Sequence, residues 1–360
     1  LGLDRLIATE DYDMNKFSTG LIFTCVVAAF AVAVVAPGGE ALAYPLARSV
    51  LDAPDLWSGL AFGSMVVNRA NLSAVFTGFK AAFNKGFSAP ETFFAKVATT
   101  VPSTTAEEKY GWIGKSTTIR EWIGDRQVQS LALHDYALKN KKWESTVGVE
   151  ATAINDDSYG VLAPVFEEMG FNAKSHPDQL VFNALAAGWS TPCFDGQFFF
   201  DTDHPVGGES GVASVSNLQA GAGSPWYLMD TRRPLKPLIY QLREDYSFQA
   251  MTSVDDEAVF SRDEFRYGVK ARSNVGYGFW QMAFGSKATL DQTNFDAAFA
   301  AMGGFKGDNG QPLGIKPNLL VVGMTNRSAA NKVIKAQQIN GGDSNPNYDA
   351  VEVVVVPWLP

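Results

Sequence analysis

The sequence predicts an α+β fold, and three observations predict it. Phenylalanines at helical spacing mark an amphipathic helix just past residue 65, and helical patterns recur at 155–189, 291–305 and 325–339. Between them lie stretches rich in Trp, Ile, Val, Tyr and Thr that alternate as strands do. The chain is 46% hydrophobic and 19% charged, with 33 glycines in 360 residues, which suits a turn-rich globular protein built on an ordinary core.

The first 64 residues differ from the rest. LIFTCVVAAFAVAVVA (21–36) is uncharged, but it is shorter than the roughly 20 apolar residues a membrane span needs. MNK (14–16) precedes it and Ala41-x-Ala43 follows, giving the three parts of a secretory signal. A fresh beginning follows at Met65. Leu72, Val75, Phe76, Phe79 and Phe83 then fall on one helical face, with Asn71 placed to cap it.

Residues 100–112 read as a polar loop. IREWIGDRQVQ (119–129) reads as strand, turn at Gly124-Asp125, strand. HDYALKNKKWESTVGVE (134–150) reads as a second pair turning at Lys139-Asn140-Lys141. Such ribbons bury little alone and need a partner surface. Residues 155–189 read as helix, with Leu162, Val165, Phe166 and Met169 as an inward stripe and a kink or break at Pro177. Residues 207–225 are small and read as flexible. Strands are expected within 226–244, 263–288, 314–323 and 345–359, and Thr325 is placed to cap the helix at 325–339.

Candidate chemistry is thin. GWIGKST (111–117) ends like a phosphate loop, but the glycine required five residues before Gly114 is Lys109. In CFDGQFFFDTDHPV (193–206), Asp201, Asp203 and His204, helped by Asp195, resemble part of a metal site. The spacing of Cys193 and His204 fits no common zinc motif, and the calcium-loop glycine and later carboxylates are missing. The segment reads better as a turn at Asp195-Gly196, a buried strand at Phe198–Phe200, and a capped turn closed by Pro205. GESG (208–211) is no nucleophile elbow, and three histidines supply no clear base. No catalytic, cofactor or metal residue is therefore assigned. A net charge of −9 argues against wrapping nucleic acid, and Cys25 and Cys193 make no disulfide framework. The one dense basic cluster, ALKNKKW (137–143), suits an acidic surface on a neighbour.

Seven blocks then come in order: YGWIGKSTTIREWIGDR, KWESTVGVE, YGVLAPVFEEMG, PCFDGQFFFDTDHPV, WYLMDTRRPLKPLIYQLRE, FRYGVKARSNVGYGFWQMA and GIKPNLLVV. Together they resemble the phage Mu major head subunit family (the T gene product) over residues 65–360. The resemblance implies the Hong Kong 97-type capsid fold, with an N-arm region at 65–109, an extended hairpin loop at 110–152, a peripheral domain with spine helix and sheet at 153–288, and an axial domain at 289–360. It implies a non-enzymatic subunit that joins itself into hexamers and pentamers of an icosahedral shell around double-stranded DNA. It also implies head partners such as scaffold, protease and portal, no membrane, and assembly in the host bacterial cytoplasm. Residues 1–64 have no counterpart in the family pattern. They are expected to be an upstream reading frame joined at Met65, or a leader removed on maturation. Trp122, Arg126, Lys141 and Trp143 are the expected inter-subunit contacts, because aromatic and arginine anchors favour interfaces. The competing readings are a cellular nanocompartment shell of the same fold and a secreted β-rich enzyme using the Asp/His cluster at 201–204.

Overall fold

A computed structural model describes residues 69–110, 136–155, 159–208, 211–253, 256–307, 310–339 and 341–360. The segment 1–64 and the hairpin expected at 119–129 lie outside the described residues.

Helix α1 (Arg69–Phe87) is the expected phenylalanine helix. Its buried apolar side chains are Leu72, Val75, Phe79 and Phe83. Asn71 is not its cap, because the helix is already formed at Arg69. After α2 (Phe94–Val97), β1 (Ala98–Pro102) and β2 (Glu107–Lys109) occupy the stretch expected to be loop. Next come β3 (Ala137–Lys139) and β4 (Lys141–Glu150).

These two strands do not form the hairpin the sequence suggests. β3 pairs with β2, whereas β4 pairs along its whole length with β10 (Glu264–Tyr277). Asn140 is the changeover, and its amide is fully used. Its Nδ2 donates to Ser103 Oγ (2.8 Å) and Thr105 O (2.9 Å), and its Oδ1 accepts from Gln241 Nε2 (2.8 Å). Gln241 is buried, donates to Leu138 O (3.1 Å), and accepts from Tyr110 Oη (2.7 Å). A turn signal in sequence was thus a junction between two sheets.

A short helix α3 (Ala151–Asn155) leads to α4 (Tyr159–Ala187), which runs unbroken through Pro164 and Pro177. A proline inside a helix costs about 3 kcal/mol. Here burial on both sides of Pro177 outweighs it. Phe166, Met169 and Ala173 sit in one core, Val181, Phe182 and Leu185 in another. Each large apolar side chain buried contributes about 1.5–3 kcal/mol. At 29 residues, α4 spans about 43 Å and ties the two cores together.

The first core lies under a four-stranded sheet of order β1-β9-β10-β4, where β9 is Leu238–Met251. β1 is parallel to β9 and the other pairs are antiparallel. Phe79 stacks on Phe166 at 4.2 Å and meets Tyr267 edge-on at 5.0 Å. The helices cross with backbones touching. A Cβ on Gly86 would lie 1.8 Å from Glu167 O, and one on Gly170 would lie 2.1 Å from Phe83 O. Only glycine permits that approach.

The second core surrounds a five-stranded sheet. Its members are β7 (Leu218–Gln219), β8 (Trp226–Met229), β11 (Ala283–Ser286), β12 (Leu319–Val322) and β15 (Glu352–Val355), in the order β15-β12-β8-β11-β7. Strands from both sides of the 288/289 division share this sheet, since β8 pairs with β12. After the short helix α5 (Glu257–Arg262), helix α6 (Gln292–Gly303) covers it with Phe295, Ala298 and Met302, and Asp291 caps it by accepting from Asn294 N (2.8 Å).

Besides the β2–β3 ribbon, two smaller ribbons among the described residues stand outside both sheets. One joins β5 (His204–Gly208) to β6 (Gly211–Val215), so 207–225 carries regular strands where the sequence suggested flexibility. The other joins β13 (Gln338–Ile339) to β14 (Asp343–Ser344). The single helix expected at 325–339 is a 3-10 turn at Met324–Asn326, helix α7 (Arg327–Ala330) and a π turn at Asn331–Lys335. Thr325 lies inside the 3-10 turn and is no cap. Among the described residues no helix is long and apolar enough to cross a membrane.

Candidate functional site

The Asp/His stretch forms a buried clasp. The chain turns at Gly196, whose φ of 87° needs glycine, and brings Asp195 back beneath Cys193. Asp195 Oδ1 accepts from Cys193 Sγ (3.0 Å) and Gln197 N (3.1 Å), and its Oδ2 pairs with His204 Nδ1 (2.7 Å). His204 is fully buried and stacks on Trp280 at 4.0 Å. Burial alone would raise the Asp195 carboxyl, but the hydrogen bonds from His204 and Cys193 outweigh it and hold it below the usual carboxylate range. Burial, reinforced by the Asp195 charge, pushes the Cys193 thiol upward.

The three donor atoms lie within 4.8 Å of one another, which raises the question of a metal ion. The chemistry fits a clasp better. Both Asp195 oxygens are already engaged, by the Cys193 thiol and by His204. A cation on Nδ1 would also leave Nε2–H as a buried donor, because Nε2 has no partner among the described residues. Cys193 and His204 are buried among the described residues, so the cluster does not favour the enzyme reading.

The other acids expected near His204 do different work. Asp201 accepts from Thr202 N (2.7 Å) and Phe198 N (3.1 Å), closing its own turn. Asp203 is exposed. Phe199 and Phe200 are buried as expected, but they lie in a bend and not in a strand, while Phe198 faces solvent. The bend arises because Asn217 holds this segment from the side. Its Oδ1 accepts from Asp201 N (2.9 Å) and its Nδ2 donates to Phe199 O (2.8 Å).

Of the expected inter-subunit residues, Trp122 and Arg126 lie outside the described residues. Trp143 is half-buried in its own subunit. Its Nε1 donates to Ser273 O (3.2 Å) and its ring meets His176 edge-on at 4.8 Å. Lys141 is exposed opposite Ser273, and Lys139 and Lys142 are exposed beside it. No described ion pair uses these three lysines.

Sequence reasoning missed an apolar face on α4. Val165, assigned to the inward stripe, is 42% exposed, with Val161 at 77% and Phe171 at 43%. The signal was present. Val161 and Val165 stand one helical turn apart, while Phe171 lies about 120° further round the exposed side, with the exposed Glu168 and Asn172 between them. Phe171 lines a groove of about 210 Å³ together with Gly86, Ala89, Pro164, Glu167 and Glu168.

Comparison with known proteins places these features in a family. A family model described as "Mu-like prophage major head subunit gpT" matches residues 72–359. The "Mu-like prophage FluMu major head subunit" of Haemophilus influenzae is 42% identical over 274 residues, covering 74% of this chain and 89% of its own. The "Major capsid protein" of Escherichia phage Mu is 37% identical over 305 residues, covering 82% of this chain and 100% of its own. Among solved structures, the chain in the procapsid of bacteriophage JBD30 is 48% identical with a TM-score of 0.72, and the match covers 81% of this chain and 100% of that one.

Proposed function

This chain belongs to the Mu-like prophage major head subunit gpT family, and from that premise we propose how it builds a head. It is a structural major capsid subunit of the Hong Kong 97-type fold, a virion component and not an enzyme. It self-assembles into capsid oligomers.

The finer reading is that these oligomers are hexamers and pentamers, enclosing double-stranded DNA without gripping its sequence. A net charge of −9 supports loose containment over tight binding. Scaffold, protease and portal proteins would complete the head in the host cytoplasm. In this reading 65–109 is the arm region, 110–152 the extended loop, and α4 the spine, with Trp122, Arg126, Lys141 and Trp143 at subunit contacts.

One observation carries the proposal: the match runs through almost the whole described chain, against relatives that are head subunits. Relatives at 37–48% identity favour a head subunit over a nanocompartment shell or a secreted enzyme. Expression of the chain in bacteria, followed by sedimentation and negative-stain microscopy of the lysate, tests it. Closed shells or capsomers are expected. A protein that stays monomeric at all concentrations would remove the reading.

A further inference from the structure

We propose that Gln241, Asn274 and Gly276 are positioning residues for assembly: together they seat the β2–β3 ribbon and so fix the direction in which residues 111–135 leave the subunit. The inference rests on the head-subunit reading, in which 110–152 is the extended loop, and adds to it what aims that loop.

The ribbon sits on the face of the sheet turned away from the second core. Leu238 and Tyr240 belong to that core, whereas Ile239, between them on β9, joins Tyr110 and Leu138 in a small cluster of its own. Neighbouring side chains on a strand point to opposite faces, so Ile239 and Gln241 face the ribbon. Asn274 and Gly276 stand opposite them on β10 and share that face. Gln241, wholly buried, donates to Leu138 O (3.1 Å) and accepts from Tyr110 Oη (2.7 Å), so it holds both sides of the ribbon. Asn274 Nδ2 donates to Lys139 O (2.8 Å), and Tyr277 N donates to Tyr136 Oη (2.8 Å). Gly276 lets the ribbon lie on the backbone itself, since a Cβ there would come 2.8 Å from Tyr136 Oη and 3.2 Å from Leu138 Cδ2.

This grip exceeds what the ribbon's own pairing could supply. β2 and β3 are three residues each, and a free ribbon so short is unstable. Its position is therefore set by the sheet. Apolar contact is non-directional, but a satisfied buried hydrogen-bond network specifies one arrangement. Tyr110 N donates to Tyr136 O (2.8 Å), so residues 111–135 begin and end at the seat. In the head-subunit reading they carry Trp122 and Arg126 to a neighbouring copy. The direction given at the seat then enters the angle between neighbours. Repeated contacts between unlike surfaces close only where the rotation permits, and otherwise leave the assembly open. A disturbed seat should therefore yield folded subunits whose shells fail to close.

The test alters the seat in the full-length chain and counts closed shells by electron microscopy and sedimentation velocity, with thermal unfolding to track stability. Gly276→Ala puts a methyl under the ribbon and removes no hydrogen-bonding group. Asn274→Ala removes one partly exposed anchor. Each should lower the closed-shell fraction by about tenfold in favour of open sheets, tubes or free capsomers, the fold-change set by about one ordinary hydrogen bond. Val321→Ala, in the buried strand β12, shows what lost stability alone does, and its folded subunits should still close. If Gly276→Ala does not fold, Asn274→Ala decides alone. Normal closed shells from the folded seat variants overturn the seat and leave the head-subunit reading intact. An equal loss of closed shells in Val321→Ala at matched stability also overturns the seat. An unmodified chain that forms no oligomer of any kind overturns both.

Discussion

The two sheets of this subunit are dressed differently. In the five-stranded sheet, Trp226–Met229, Ala283–Ser286 and Leu319–Val322 are buried at every position. Both faces are covered, and the strands read as continuous apolar runs for that reason. In the four-stranded sheet, β4 buries one residue of ten and is an edge, and β9 begins with four buried residues and ends exposed. One sheet is finished within the chain. The other is half-finished, with a ten-residue edge that monomeric proteins normally protect. Stability and assembly are thereby assigned to different places: the closed sheet holds the fold, and the open one leaves surface for neighbours.

The largest expected effect breaks the comparison directly. In the unassembled subunit, amides of β8 and β12 should exchange only through global unfolding, with protection approaching the roughly 5–15 kcal/mol of whole-domain stability. Amides on the outer edge of β4 should exchange with almost none, and hydrogen–deuterium exchange measured by mass spectrometry reads both. Equal protection would mean that the two sheets are finished alike.

A smaller effect asks whether the open sheet is nonetheless well packed beneath. Phe166 is fully buried and touches Phe79, Tyr267 and Phe248. Phe166→Ala should cost about 3–5 kcal/mol in chemical denaturation, as truncation of a close-packed aromatic does. A cost below about 1 kcal/mol would show a loose interior there.

The smallest effect concerns the Asp195 clasp. Asp195→Asn should cost about 1–3 kcal/mol at neutral pH, because it weakens the acceptor for buried His204 and Cys193. The folded carboxyl sits below its ordinary value, so the charged form is favoured by folding. Its contribution is complete above the unfolded value and is lost as pH falls through the folded one. Denaturation midpoints measured below about pH 4 should therefore fall more steeply in the unmodified chain than in Asp195→Asn. Parallel curves would show that Asp195 carries no such linkage.

Much of this was legible in the residues, where the signal was local. Phe79 and Phe83 announced α1 because a 3.6-residue period needs no partner to be read, and the apolar run Leu319–Val322 announced a buried strand for the same reason. The family was legible through seven ordered blocks, none diagnostic alone. What stayed hidden depends on distant residues. Pro177 reads as a break until the cores on either side are counted. Asn140 reads as a turn until β10, more than 120 residues later, takes β4 away. His204 belongs with Asp195 and not with Asp201 or Asp203 because of how one bend folds. Val165 looked inward because one stripe accounts for one face, and α4 has two.

The junction at Asn140 has a mechanical consequence. Ser103, Asn140 and Gln241 are linked by amide hydrogen bonds of 2.8 Å, with Tyr110 joined at 2.7 Å. A linkage of this kind has little slack, since stretching any member strands a buried polar group at about 1–3 kcal/mol. A pull on the β2–β3 ribbon therefore reaches β9 through Gln241 as well as through the chain at its root. The subunit behaves there as a bracket welded to its plate, and load entering by the ribbon leaves through the sheet.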